Sequence, residues 1–292
     1  MMKSKYKGIL FIICSAFCFA FMNAFVRLSG DLPSVQKSFF RNFVALLIAG
    51  MACYQDRKNL QIPKNCWGWL ILRASFGTAG ILCNFYAIDH LILSDASMLN
   101  KMSPFFTIVC SWILLKEKLS PAQIGAVLTA FLGSLLIIKP TMDFSDFKSS
   151  LIGLMGGMTA GAAYSIVRIL GQKGVNKNFI VLFFSGFSCL IVVPFLLFNF
   201  HPMTLNQILI LIGAGVAAAG GQFSITAAYC YAPAREISVY DYSQIIFATT
   251  LGVIFFGEVP DRYSFIGYGI IIFAALAMFW YNNYYLTKKQ SE

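Results

Sequence analysis

Charged residues are scarce in this chain: they make up 12% of its 292 residues, whereas apolar and aromatic residues make up 58%. Soluble globular domains carry about 25% charged residues, so the composition argues against that class. Histidine is rarer still, and His90 and His201 fall in different predicted loops. The chain also lacks H-E-x-x-H, G-x-S-x-G and phosphate-cradling glycine motifs. The sequence therefore predicts no metal site, no cofactor and no catalytic centre.

What the chain has instead is a succession of apolar segments of the length that crosses a bilayer, which takes about 20 helical residues. They predict an all-α integral membrane protein in contact with the lipid bilayer. We place ten transmembrane helices at 8–29, 35–54, 67–88, 94–115, 121–138, 150–170, 178–198, 205–230, 236–256 and 262–282. Ser120–Pro121 and Asp261 predict the starts of the fifth and tenth helices, because Ser and Asp cap helices and Pro favours the first turn.

Basic residues outnumber acidic ones, 22 against 12, and they are unevenly distributed. In the ten-helix arrangement most of them, including Lys5, Lys7, Lys173 and Lys177, fall on one side of the membrane. Such an excess marks the cytoplasmic side of a multi-pass protein. Topology thus accounts for the positive charge, and we expect no nucleic-acid partner. The prediction is a protein of the cytoplasmic membrane with both termini in the cytoplasm.

The two halves of the chain repeat each other at a constant offset of 141 residues (168 − 27). Ser165–Gly171 matches Ala24–Gly30 in this register. Each half, 1–140 and 141–292, holds five predicted helices, with a polar hinge at 139–146. Because five is odd, the second half must enter the bilayer from the opposite face. A 5+5 inverted repeat of this kind builds a site near the midplane that opens to either side, and it predicts a transporter.

Several short motifs are shared with a known family. They are Phe85–Ile88, Ser94–Ser97, Ser103–Pro104, Leu115–Leu119, Gly125, Gly133, Glu236–Ser238 and Phe256–Glu258, with Arg41 early in helix 2. Over nearly the whole chain they resemble the drug/metabolite transporter superfamily, specifically its EamA-type ten-helix permeases. The resemblance implies a 5+5 inverted-repeat bundle in the inner membrane that moves small organic solutes, without naming the solute. Ile245 replaces an expected proline, and Lys101 stands where the family more often has a small or uncharged residue.

Two ionisable residues stand out inside the predicted helices. Lys101 belongs to helix 4 and Asp241 to helix 9, where an ion costs about 2.5–3.5 kcal/mol on insertion scales and normally has a function. The repeat aligns them with Tyr242 and Asn100, so we expect these four residues on the inward faces of two continuous helices. Opposite charges there could pair across the cavity or bind a zwitterion. A structural ion pair without solute contact is the alternative.

Other polar residues on predicted inward-facing stripes are further candidates for solute contact. They are Asn23, Arg41, Asn84, Tyr86, Tyr164 and Gln222. Arg41 is predicted to meet either solute or a cluster of carbonyl groups, and for the tyrosines core packing is the alternative. Arg27, Arg168 and Arg73 lie near helix ends. We expect them either to gate the mouths of the cavity or to extend to the lipid headgroups.

Together these features predict a secondary transporter for a small organic metabolite, which could be amino-acid-like, zwitterionic, cationic or a drug. Proton coupling and a homodimer are further expectations. The dimer would use the small-residue stripe Gly153, Gly157 and Gly161, for which tight packing inside one bundle is the alternative. A non-transporting receptor or assembly factor is the competing function, and a membrane-embedded enzyme is a weaker one. Without a nucleotide-binding domain, this sequence itself offers no ATP drive.

Overall fold

The computed structural model describes residues 2–56, 63–90, 99–117, 120–138, 147–257 and 260–281, and within these ranges the regular structure is helical throughout. The main helices are α1 (Met2–Leu28), α2 (Ser34–Gln55), α3 (Trp67–His90), α4 (Ser103–Leu115), α5 (Pro121–Ile138), α6 (Phe147–Gln172), α7 (Lys177–Phe198), α8 (Leu205–Tyr231), α9 (Ser243–Phe256) and α10 (Arg262–Trp280). Each corresponds to one predicted transmembrane helix. The predicted hinge at 139–146 and the motif Ser94–Ser97 lie outside the described residues.

Among the described residues, seven helical segments are long and apolar enough to cross a membrane, and they include the segment that ends in α9. Helices α4 and α5 are apolar but shorter. Helix α2 has 22 residues, but its first turns are polar because they contain Gln36, Lys37, Arg41 and Asn42. The all-helical membrane architecture is therefore as expected, with unequal helix lengths.

The ninth predicted helix, 236–256, is not continuous, and the expectation of one α-helical face along it is wrong. One helical turn, Ala234–Ile237, leads into a 3₁₀ segment, Ser238–Tyr242, and only then does α9 begin. With three residues per turn instead of 3.6, Asp241 and Tyr242 do not follow the α-helical spacing, although both side chains are buried. A 3₁₀ stretch inside a helix often marks a functional hinge.

A matching break occurs before α4. Leu99 and Asn100 are helical, Lys101 and Met102 form a turn, and α4 then starts with a proline in its first turn. Proline is favoured there because its missing N–H would have no partner. Both short helices also end alike, on left-handed residues 141 positions apart: Lys116 at φ 53° and Gly257 at φ 67°.

The helices of the first half pack mainly against those of the second. The chief pairs are α1 with α8, α3 with α6, α5 with α10, α2 with α7, α4 with α6, α2 with α8, and α1 with α9. The glycine stripe of α6 lies inside the bundle: a Cβ on Gly161 would sit 2.7 Å from the backbone nitrogen of Thr107, and one on Gly157 would sit 2.5 Å from the carbonyl oxygen of Leu99. The stripe thus allows close packing within one chain.

Contacts between the helices define two ends of the bundle. At one, which we call the basic end, the amines of Lys7 and Lys177 lie 5.8 and 3.7 Å from the ring centre of Tyr231. At the other, the opposite end, Gln36 Nε2 donates to the carbonyl oxygen of His201 at 2.9 Å. Helix α1 starts at the basic end and finishes at the opposite end, where Ser29 O accepts a hydrogen bond from α8.

Candidate functional site

The structure buries four charged side chains among the described residues: Arg41, Arg73, Lys101 and Asp241, with exposed fractions of 7%, 2%, 8% and 7%. Burying an ion is costly unless it is paired or hydrogen-bonded. All four were selected from the sequence, and they come from α2, α3 and the breaks that precede α4 and α9. Their surroundings therefore indicate what this region can do chemically.

Lys101 and Asp241 meet at the two helix breaks. Lys101 Nζ lies 3.6 Å from Asp241 Oδ2 and donates to Gln244 Oε1 at 2.7 Å. Tyr242 donates its hydroxyl proton to the carbonyl oxygen of Lys101 at 3.0 Å. This bond satisfies a carbonyl in the turn, where an α-helix would otherwise have supplied the donor. Because an ammonium and a carboxylate face each other without regular helix around them, the site can interact with either charge of a zwitterion.

Tyr164 on α6 lies next to Tyr229, whose hydroxyl oxygen is 3.5 Å from Ser238 Oγ in the 3₁₀ segment that carries Asp241. Its ring stacks on that of Tyr229, with centroids 5.3 Å apart and planes inclined by 16°. The stacking fixes the orientation of Tyr164. We refer to the four buried charges and this tyrosine together as the central cluster: Arg41, Arg73, Lys101, Asp241 and Tyr164.

The arginines are held mainly by aromatic rings. The guanidinium carbon of Arg73 lies 4.2 Å from the ring centre of Phe184, and Arg73 also donates to Gln222 Oε1 at 3.4 Å. The guanidinium carbon of Arg41 lies 5.9 Å from the ring centre of Phe19. Cation–π contacts of this kind stabilise a desolvated cation by about 2 kcal/mol. Arg73 was predicted to gate a mouth or reach headgroups, but its side chain lies inside the bundle.

The remaining predicted contact residues are Asn100, Asn84, Tyr86 and Asn23. Asn100 is half-buried next to Lys101, and Asn84 is half-buried where its backbone approaches Gly156 of α6. Tyr86 stacks on His90 near the opposite end, with ring centroids 4.0 Å apart. Asn23 is exposed. Of the predicted set, the structure thus gathers Arg41, Arg73, Lys101, Tyr164, Gln222, Asp241 and Tyr242.

Two further arginines lie at the two ends of the bundle. At the basic end, Arg168 Nε lies 3.8 Å from Glu117 Oε1, and Arg168 donates to the carbonyl oxygen of Cys230 at 3.1 Å. At the opposite end, the guanidinium carbon of Arg27 lies 4.2 Å from the ring centre of Phe256. Each arginine thus contacts the end of one short helix, α4 or α9. The repeat mate of Glu117 is Glu258, which lies outside the described residues.

The carboxyl group of Glu117 carries an expected pH dependence. Burial raises its pKa above the usual 4.5, because desolvation outweighs the fields of Arg235 and Arg168, while Glu236 adds to the rise. The folded protein therefore keeps this proton to a higher pH than the unfolded chain, so stability falls as pH rises from about 4.5 toward the raised pKa. In melts at stepped pH, Glu117→Gln should lose this part of the slope.

The exposed carboxylate of Asp31, which precedes α2 at the opposite end, provides the control. The Asp31→Asn protein should keep the wild-type dependence of melting temperature on pH. Equal slopes for wild type and Glu117→Gln would show that this carboxyl group has no raised pKa.

Some members of the site were not selected from the sequence. Gln244 was overlooked, although it is a polar residue at the start of an apolar run and the repeat mate of Ser103 in the motif Ser103–Pro104. Phe19 and Phe184 carried no signal, because they are two of 29 phenylalanines in an apolar chain. Their role depends on which helices pack together, and that is a property of the fold.

The model of the EamA-like transporter family matches the chain twice, over residues 6–139 and 151–280. The chain therefore belongs to the EamA-like transporter family, as its motifs indicated. It is a multi-pass membrane protein of the drug/metabolite transporter superfamily, and the names of its family and of several relatives point to transport.

Named relatives cover nearly the whole chain. The pseudopaline exporter of Pseudomonas aeruginosa is 31% identical over 273 residues, which is 93% of this chain and 95% of that protein. The riboflavin transporter of Vibrio cholerae is 27% identical, covering 91% of this chain and 90% of that protein. Human solute carrier family 35 member G1 is 29% identical, with 88% and 74% covered. One crystal structure, 14% identical, superposes with a TM-score of 0.79 over 94% of this chain and 96% of its own, which shows a common fold.

Proposed function

We propose that the protein is a secondary transporter that moves a small amphoteric organic metabolite across the cytoplasmic membrane by alternating access. The observation that carries this proposal is the Lys101–Asp241 pair, buried at the breaks before α4 and α9. Discontinuous helices with unpaired backbone groups are the usual construction of a substrate site in transporters. The names of the relatives, an exporter and a transporter of organic compounds, support the class of function.

Alternating access requires two halves that can exchange conformations, and we propose a 5+5 inverted repeat with halves 1–140 and 141–292. The double match to one family model supports it. The helix packing supports it too. When each helix is exchanged with its equivalent in the other half (α1 with α6, α2 with α7, and so on), the contact of α1 with α8 becomes that of α6 with α3. The contact of α4 with α6 likewise becomes that of α9 with α1. The pairs α2 with α7 and α5 with α10 convert into themselves. A twofold relation between the halves predicts this pattern.

We further propose that the basic end faces the cytoplasm, together with both termini. The lysines around Tyr231 support this orientation, because cytoplasmic loops carry the excess of basic residues. In this arrangement the ion pair of Arg168 with Glu117 closes the cytoplasmic mouth, and the contact of Arg27 with Phe256 closes the outer mouth. Proton coupling and a homodimer stay predictions.

The test is solute flux in proteoliposomes filled with a soluble metabolite extract. Solutes that leave wild-type liposomes faster than protein-free ones would be identified by mass spectrometry. We expect an amphoteric metabolite among them, and we expect its release to be lost with Lys101→Met, which removes one charge of the pair. If no solute leaves faster than from protein-free liposomes, the transporter proposal fails, and the receptor or assembly factor becomes the better account.

A further inference from the structure

The two arginines of the central cluster lack an anionic partner. Neither Arg41 nor Arg73 forms an ion pair with a carboxylate among the described residues, and the Nε atom of each has no hydrogen-bond acceptor there. Their contacts are the rings of Phe19 and Phe184 and the amide of Gln222. Fully buried arginines are normally paired. Among the residues that the structure describes, no carboxylate therefore supplies a counter-charge for these two arginines.

The net charge of the central cluster also indicates that an anionic ligand binds there. Lys101 is paired with Asp241, which leaves Arg41 and Arg73 without a carboxylate partner in the described part of the chain. The two arginines converge on neighbouring residues of α8: Arg73 donates to Gln222, and the Phe19 ring that carries Arg41 packs against Gly221. Like charges brought together in a low-dielectric interior repel each other strongly. A protein keeps such an arrangement where a ligand of opposite charge binds.

We propose that Arg41 and Arg73 form an oxyanion subsite that binds a carboxylate or phosphate group of the transported solute. The planar guanidinium group matches both oxyanions through two parallel hydrogen bonds. This inference rests on the proposed function and narrows its solute. A metabolite that contacts Lys101 and Asp241 through a zwitterionic part also carries at least one additional acidic group, and its net charge is negative.

The first test is the stability of the ligand-free protein. Arg41→Met removes a cation without a partner and keeps an apolar side chain against Phe19, so the melting temperature should rise by about 2–4 °C. Lys101→Met is the matched control: it leaves Asp241 as an unpaired buried charge and should lower the melting temperature. A fall for Arg41→Met similar to that of Lys101→Met would overturn the proposal, because it would assign Arg41 a structural role.

The second test uses three amino acids that differ in one group: glutamate, O-phosphoserine and the uncharged isostere glutamine. A ligand that binds the folded state raises the melting temperature by mass action. We expect glutamate or O-phosphoserine at millimolar concentration to stabilise the wild type more than glutamine does. A response to glutamate alone would identify carboxylate as the group, and a response to O-phosphoserine alone would identify phosphate.

The advantage of the acidic probes should disappear in Arg41→Met and in Arg73→Met. If glutamine stabilises equally, or if none of the three does, the oxyanion subsite is refuted. The flux assay separates this result from the transporter proposal. Release of neutral or cationic solutes alone would refute the subsite and leave the transporter, whereas arginine-dependent binding without any flux would leave the subsite and refute the transporter.

Discussion

The double variant Lys101→Met with Asp241→Asn is expected to regain most of the folding stability that Lys101→Met loses, and still to transport nothing. Removing one partner of a buried ion pair leaves an uncompensated charge and costs about 3–5 kcal/mol, whereas replacing both partners is close to neutral. Solute binding has no such compensation, because a zwitterion loses both of its contacts. Thermal melts and the flux assay on the same preparations measure the two effects separately.

The conservative variant Asp241→Asn alone serves as the control, since it should lose both stability and flux. If the double variant recovers flux together with stability, the pair is structural, and these two residues do not belong to the solute site. Recovery of neither would indicate that the breaks themselves need the charges to fold.

The second large effect is expected at the crossing of α6 and α4. Gly161→Ala places a methyl group against Phe106 and the backbone nitrogen of Thr107, both 2.7 Å away, so the helices must separate. Overpacking of this kind costs about 1–3 kcal/mol. Because α4 follows directly on Lys101, we also expect flux to fall. Chemical denaturation in micelles would measure the loss of stability.

Gly125 on α5 is the matched control, since no atom lies within 4 Å of the position where its Cβ would be. Gly125→Ala should leave stability unchanged or raise it by about 0.5–1 kcal/mol, because alanine restricts the unfolded chain. If Gly125→Ala lost as much stability as Gly161→Ala, the loss in Gly161→Ala could not be assigned to the close contact between α6 and α4.

Much of this fold could be predicted, because lipid limits spanning structure to a few forms. The starts of α5 and α10 are confirmed by their caps: Ser120 Oγ accepts from Ala122 N at 3.2 Å, and Asp261 Oδ1 accepts from Ser264 N at 3.1 Å. The charged members of the central cluster were also recognisable, because an ion in an apolar helix is rare and conspicuous.

What could not be predicted depends on contacts between distant helices. Arg73 lies in the second turn of α3, where an arginine ordinarily extends to the headgroups; only the packing of Phe184 and Gln222 shows that it points inward. The 3₁₀ segment before α9 was missed for a similar reason. Its apolar and aromatic residues suit an α-helix equally well, and burial of Asp241 beside Lys101 is a long-range effect.

The central cluster draws its cations from one half of the chain. The repeat mates of Arg41, Arg73 and Lys101 are Leu182, Ala214 and Tyr242, whereas the single acid, Asp241, belongs to the second half. In the proposed inverted repeat, a twofold rotation that exchanges the halves also interconverts the two open conformations, and identical halves would make these conformations equal in energy. The unequal distribution of charge between the two halves makes the energies of the two conformations unequal. Under the proposed alternating-access mechanism, we therefore expect the empty protein to rest with one mouth preferentially open and to start its transport cycle from that side.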